Sequence, residues 1–178
     1  MTTAPLPERP NMPDYGVDTE EWVGLPWSWA AERLAATRNF WVATVAATGQ
    51  PHSLPVWGVW DDERLQFSFS CAPSAAKARH LAGNPRIAFT TTDSVECVSV
   101  QGSATRTDDP AVIAEWVPSY VAKYGDEVAA DTDECPEFGD FLASNAMFVV
   151  QPTVAFAIIE RPDEFATRAT RWRFTRGT

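Results

Sequence analysis

Ser74-Ala75-Ala76-Lys77 puts a hydroxyl and a lysine at the opening of a short helical stretch, directly after a strand-like run. A helix start presents free backbone N–H groups and the positive end of its dipole, and Lys77 adds a point charge. Together these make a cradle suited to phosphate. Ser68 and Ser70 lie just upstream, on the hydroxyl-rich face of Arg64–Ser70, whose other face carries Leu65, Phe67 and Phe69. The competing reading is a solvated helix lysine behind a serine that serves only as N-cap.

Pro55-Val56-Trp57-Gly58 is a second candidate. Proline gives the ladder no N–H and glycine has no side chain, so a flat ring can lie against the backbone there. An ordinary buried strand with a bulge would carry the same residues. Trp172 and Phe174, flanked by Arg171 and Arg173, form a third. The aromatics suit a ring or the hydrophobic closure of a last strand; the arginines suit an anionic tail or the balance of an acidic surface. His52 and His80 have no metal-ligand spacing, no CxxC occurs, and no Ser-His-Asp, HExxH or GxGxxG pattern is present. No side chain is marked as catalytic and no metal is expected. Any chemistry is then expected to belong to a cofactor that the protein orients.

The chain that must position these groups has 178 residues and a formal net charge of −10. That length suits one domain with a real core. The acidity argues against nucleic acid, which needs a basic face, and against an anionic membrane surface. Eight tryptophans are many for the length and suit an aromatic pocket as well as a core. Cys71, Cys97 and Cys135 are scattered and odd in number, Met1–Asp14 has no apolar signal core, and Met147–Val150 and Val154–Ile159 are too short to span a bilayer. The reading is a cytoplasmic protein.

Residues 1–24, proline-rich and without period, read as an extended or partly disordered arm, and residues 25–178 as a single domain. A helix is expected from Pro26, with Trp27, Ala30, Ala31, Leu34 and Ala35 on one face, ending near Asn39. Strands follow at Phe40–Ala46, His52–Trp60 and Arg64–Ser70. Apolar groups on both faces of the second imply that both are covered. The short helix runs from Ser74 to about Ala82, stopped by Gly83-Asn84-Pro85. Arg86–Thr92 and Val95–Arg106 pair across Asp93-Ser94. Asp108-Asp109-Pro110 opens a helix to about Tyr124, with a kink or early end at Pro118 and a stop at Gly125. Asp126–Asn145 is acidic, with a short helix around Glu137–Ala143. Met147–Ile159 is a strand interrupted at Pro152, and Arg171–Thr175 a last short strand. Six or seven short strands with a few helices predict a mainly β fold, an antiparallel barrel with appended helices.

The run FWVATVAATGQPHSLPVWGVWDDERLQFSFS, then SAAKARHLAGNPRIAFT, then VSVQGSATR, resembles the split β-barrel flavin and deazaflavin oxidoreductases of the pyridoxamine 5'-phosphate oxidase-like superfamily. The similarity covers about Phe40–Arg106, with a looser match over Ala169–Phe174. Within that superfamily the chain is most similar to the actinobacterial reductases that use coenzyme F420. The resemblance implies a split barrel and a homodimer with the cofactor in clefts at the subunit interface. It places a phosphate-binding lysine on Lys77, beside the hydroxyls of Ser70, Ser74 and Ser68 read above. The ring strand falls on Leu54–Gly58, with Pro55, Val56 and Trp57 against the ring. Arg171–Phe174, with Trp172 and Arg173, falls on the segment that closes the site. Ala76 stands where pyridoxamine-phosphate oxidases carry an arginine, and Ser53–Trp60 has no basic residue, which favours F420 over FMN. The implied activity is hydride transfer between F420 and an unsaturated small molecule. The alternatives are an FMN-dependent enzyme of the same fold, or a non-catalytic protein that binds F420, haem or another apolar ligand.

Overall fold

A computed structural model of the chain describes residues 3–131 and 138–175. Its elements in order are β1 (Pro7–Glu8), α1 (Trp27–Ala36), β2 (Asn39–Val45), β3 (Pro51–Asp61), β4 (Gln66–Cys71) and α2 (Ala76–Gly83). They continue with β5 (Arg86–Thr90), β6 (Glu96–Thr107), α3 (Pro110–Asp131), α4 (Phe138–Ser144), β7 (Ala146–Ile159), α5 (Phe165–Arg168) and β8 (Thr170–Arg173). The strands run in the order β1-β8-β7-β4-β3-β2-β5-β6, and β6 pairs back onto β7. Six antiparallel strands therefore close a barrel, while β8 and β1 extend from the far half of β7. The expected split-barrel architecture, mainly β with appended helices, is what the chain adopts.

Two cores hold it. Inside the barrel Phe40, Phe67, Phe69, Phe89 and Phe148 interlock, with Phe67 and Phe89 stacked at 4.1 Å. Trp27 of α1 plugs one end against Trp60 and Trp172, and the indole N–H groups of Trp27 and Trp60 both donate to Asp62 Oδ1. Outside, α3 lies on β3, β4 and β7. Its residues Ile113, Trp116, Tyr120 and Tyr124, spaced three or four apart, share one face with Val59 and Met147 beneath. Fully burying each such side chain stabilises the fold by about 1.5–3 kcal/mol. This face carries α3 past Pro118 and through Gly125, where the sequence predicts a kink or a stop: the packing outweighs the lost ladder bond and the glycine penalty.

Other boundaries shift for local reasons. The small helix begins at Ala76 with Ala75 as its N-cap and no side-chain cap, so Ser74 does not have the capping role. β7 is not interrupted at Pro152. A register shift between Gln101 and Gly102 sets Gly102 opposite Pro152 and leaves Thr153 as the extra residue. β3 is not covered on both faces: Leu54 and Pro55 are exposed. The N-terminal arm is docked on the domain, with one turn of helix at Pro13–Tyr15. β1 pairs with β8, Val17 and Leu25 are buried, and Trp22 donates its indole N–H to Ala169 O at 2.7 Å. Cys135 and the expected helix start at Glu137 lie outside the described residues.

Gly102 is forced by that bulge, because a Cβ there would overlap Gln151 O on the neighbouring strand. Gly102→Ala is expected to lower the unfolding free energy by about 1–3 kcal/mol in urea denaturation. An unchanged midpoint would show that the β6–β7 register is not fixed there.

Candidate functional site

β4 ends at Cys71 and the chain turns through Ala72–Ala75 into α2. The amide of Ala75 bonds to Ala72 O and that of Arg79 to Ala75 O, which leaves the amides of Ala76, Lys77 and Ala78 as the unpaired first-turn donors that any helix has. Lys77 is half-buried in this turn and Ser70 half-buried at the end of β4, while Ser74 is exposed and its carbonyl accepts from the Arg79 guanidinium. Burial pushes the Cys71 thiol up, and the positive charges of Lys77 and Arg106 pull it down. Both cations thus lie within electrostatic reach of the strand end. Ser70, Ser74 and Lys77 lie along one strand-to-helix turn, and Arg106, which the sequence did not mark, reaches its Cys71 end. Arg106 comes from β6, and only the pairing of β6 with β7 and of β7 with β4 delivers it. Its partner, Asp108, is exposed.

Ser68 is a correction. It is fully buried on the outer sheet face under α3, and its hydroxyl donates to Tyr120 Oη at 3.3 Å. The hydroxyl-rich face of β4 is thus a polar contact with α3 at Ser68 and reaches solvent only at Ser70. Burial raises the Tyr120 phenol far above its ordinary range, so this pair stays neutral.

On β3 the three ring-strand residues part company. Pro55 is exposed, Val56 is buried in the barrel, and Trp57 is half-buried with its indole stacked on Tyr124 at 4.7 Å and 3°. Gly58 is also a correction: it gives close approach to the chain's own α3, not open backbone. Its N–H donates to Tyr124 Oη at 2.8 Å, and its carbonyl accepts from Lys123 Nζ at 2.7 Å. Tyr124 Oη lies 2.9 Å from that carbonyl and 2.7 Å from Arg38 O, so its one proton has two possible acceptors. Arg38 stands 4.4 Å over the Tyr124 ring. Burial, and then the charge of Arg38, pull the Lys123 ammonium down to about 8. Neither Lys123 nor Tyr124 was legible as a site residue, because the link is tertiary.

Trp172 is the third correction. It is fully buried in the barrel core between Trp27 and its neighbours. Arg171 and Arg173, on the same strand, both bond Glu8 Oε2 of the N-terminal arm, at 2.8–3.2 Å. Within the chain this segment stands apart from the Lys77 cradle. Beside Pro55, β2 presents Trp41, 46 % exposed, and Val45, both turned outward with their partners Pro55 and Pro51. An apolar sheet face thus stays bare next to the covered one, continuous with a groove of about 640 Å³ lined by Val45, Pro51, Ala88 and Gln101. No group of three or more metal-ligating side chains occurs among the described residues, and no helix among them is long and apolar enough to cross a membrane.

The sequence model of pyridoxamine 5'-phosphate oxidase matches residues 29–157. The chain belongs to the pyridoxamine 5'-phosphate oxidase family. No curated protein matches it. Among solved structures it is similar to an F420 reductase, at 23 % identity and TM-score 0.53 over 70 % of this chain and 93 % of that one. It is also similar to a FAD-binding protein from Mesorhizobium loti (15 %, TM-score 0.56, 83 % and 95 %) and to the haem storage protein from Vibrio cholerae (18 %, TM-score 0.54, 69 % and 87 %). At these identities the likeness is one of fold, which the family and these structures share.

The buried ammonium gives a pH signature. Unfolded, Lys123 takes up its proton at its ordinary value near 10.5; folded, it does so only below about 8. Between these values the unfolded chain binds more protons, so this residue makes stability rise with pH. The difference in unfolding free energy between the native chain and Lys123→Met should widen in favour of the native chain from pH 7.5 to 9.5. A flat difference across urea melts in that window would mean that Lys123 is not buried as described.

Proposed function

We propose that this family member is an oxidoreductase that works with a deazaflavin, coenzyme F420, acting on an unsaturated small molecule. The observations that carry the reading are the Lys77 cradle and the bare aromatic strip on the outer face of β2 and β3. Lys77, Arg106 and the first-turn amides of α2 suit a phosphate, with Ser70 and Ser74 at its edge. Trp41, Pro55 and the free edge of Trp57 suit a flat ring system. When bound there, the cofactor would supply the hydride. The chain would fix the ring against β3, keep water from its face and hold the phosphate end. The absence of a basic residue on Ser53–Trp60 supports F420 over FMN, which the same fold holds with more charge around the phosphate.

The reading includes a homodimer in the cytoplasm. Trp41, Val45, Pro51 and Pro55 form an apolar sheet face that a second copy would cover, closing the strip into a cleft. Arg173 is exposed enough to approach such a cleft from a partner, whereas Trp172 is not. A non-catalytic ligand carrier is the second reading, supported by the same aromatic strip.

Apoprotein titrated with F420 and with FMN, followed by quenching of tryptophan fluorescence, tests the cofactor. Saturable binding of F420 alone is expected, and Lys77→Ala should weaken it by about 1–3 kcal/mol, the range for a charge-assisted contact. An unchanged dissociation constant would remove Lys77 from the site, and preference for FMN would move the protein to the flavin branch. Binding of F420 without turnover of any enone or quinone would favour the carrier. Sedimentation should give a dimer at micromolar concentration, and Trp41→Asp should shift it towards monomer.

A further inference from the structure

Of the 14 basic residues only Lys77 and Lys123 are lysines; the rest are arginines. Several arginines serve ion pairs: Arg33 and Arg161 with Glu96, Arg64 with Asp61, Arg171 with Glu8. A guanidinium keeps its proton near neutral pH, whereas an ammonium can release one. Lys77 has its place in the phosphate cradle. Lys123 has no carboxylate partner among the described residues. Its Nζ sits between the ring of Phe40 of β2, at 4.8 Å, and that of Tyr124 of its own helix, at 5.4 Å. On β3 it meets the Gly58 carbonyl, one residue beyond Trp57. Among the described residues the charged and titratable groups facing it are Arg38, from the α1–β2 junction, and Tyr124.

We propose that Lys123 is a catalytic acid of this site, giving its proton to the substrate at the Trp57 end of the aromatic strip. The proposal rests on the reductase reading above. An unsaturated carbonyl compound that accepts hydride from a reduced deazaflavin gains one C–H bond and is left with an electron pair on its conjugated oxygen or carbon. An N–H bond of Lys123 breaks, the substrate takes that proton on this electron pair, and Lys123 is left as a neutral amine that water reprotonates. The surroundings suit the task. A proton donor near neutral pH needs an affinity close to the working pH, and burial beside a second cation gives that to a lysine. When Nζ turns away from the Gly58 carbonyl, that oxygen keeps a donor within reach, because the Tyr124 proton, shared with Arg38 O, can turn to it. A residue needed only to cap that carbonyl would not have to be a lysine.

Having only two lysines makes the test clean. Apoprotein is labelled with trinitrobenzenesulfonate, which attacks neutral amines, from pH 6 to 11, and the two sites are resolved by peptide mass spectrometry. Labelling of Lys123 should rise with a midpoint near pH 8. Saturation with oxidised F420, checked by tryptophan quenching, should slow it at least fivefold. In turnover, Lys123→Met should lose about 100-fold in kcat with F420 affinity unchanged, and Lys123→Arg, which keeps the charge but cannot release the proton, should not restore it. A labelling midpoint near pH 10, F420 bound with Lys123 labelling unmoved, or wild-type kcat in Lys123→Arg would each overturn the proposal while leaving the cofactor reading intact. Absence of F420 binding would overturn the cofactor reading, and the proposal with it. The labelling of the native chain decides the matter even where a variant does not fold.

Discussion

The fold turns on the edge of β3 at Gly58. Pairing of β2 with β3 ends at Asn39–Trp57, because the chain before Asn39 leaves the sheet for α1. Beyond that point one side of β3 has lost its strand while its N–H and C=O still need partners in a half-buried place. Tyr124 and Lys123 supply them from α3. An unmade bond there would cost about 1–3 kcal/mol per group. Glycine is needed at this position because any Cβ would run into the Phe67 ring on the barrel side. One residue thus faces the packed barrel core with no side chain and the helix with its backbone.

Much of the outer surface follows from this clamp. With Tyr124 fixed, α3 must cross β3, β4 and β7 so that Tyr120 meets Ser68 and Trp116 meets the second core. That half of the outer sheet face is closed. The other half, with Trp41, Val45, Pro51 and Pro55, is left bare, and Trp57 stands at the boundary with its indole against Tyr124. A ligand on the strip would meet apolar sheet on one side and a wall of aromatic and cationic side chains on the other. That wall does not come from the strand that carries the strip.

This division explains what could be read from the sequence. The strands of the barrel were legible because alternation and turn residues are local, and so was the strand–turn–helix that carries Lys77, whose parts are contiguous. Ser68 was misplaced because alternation gives the face of a side chain but not whether a distant helix lies over it. Trp172 reads as a ligand-facing aromatic only while its strand is imagined alone. Once β8 pairs with β7, its side chain points into the core and Arg171 and Arg173 meet Glu8. Arg106, Lys123 and Tyr124 became visible only through pairings between elements far apart in sequence. The passage of α3 through Pro118 and Gly125 is likewise a tertiary override of two local stop signals.

Charge placement is the remaining constraint. A chain of net charge −10 repels an anionic ligand at long range, so a phosphate site must rest on cations at short range. The candidates divide by how firmly acids hold them. Arg33 and Arg161 share Glu96 in a partly buried network that ties α1 to β6 and to the chain after β7. Arg171 and Arg173 converge on one carboxylate of the arm. Among the described residues Arg106 pairs only with exposed Asp108, a contact worth at most about 1 kcal/mol, so sharing its guanidinium with a phosphate would cost little. Lys77 is in no ion pair among the described residues and stands at a helix start whose dipole adds to its charge. Set against the arginines held by Glu96 and Glu8, the two cations that reach Cys71 are weakly committed, and they converge on the end of β4.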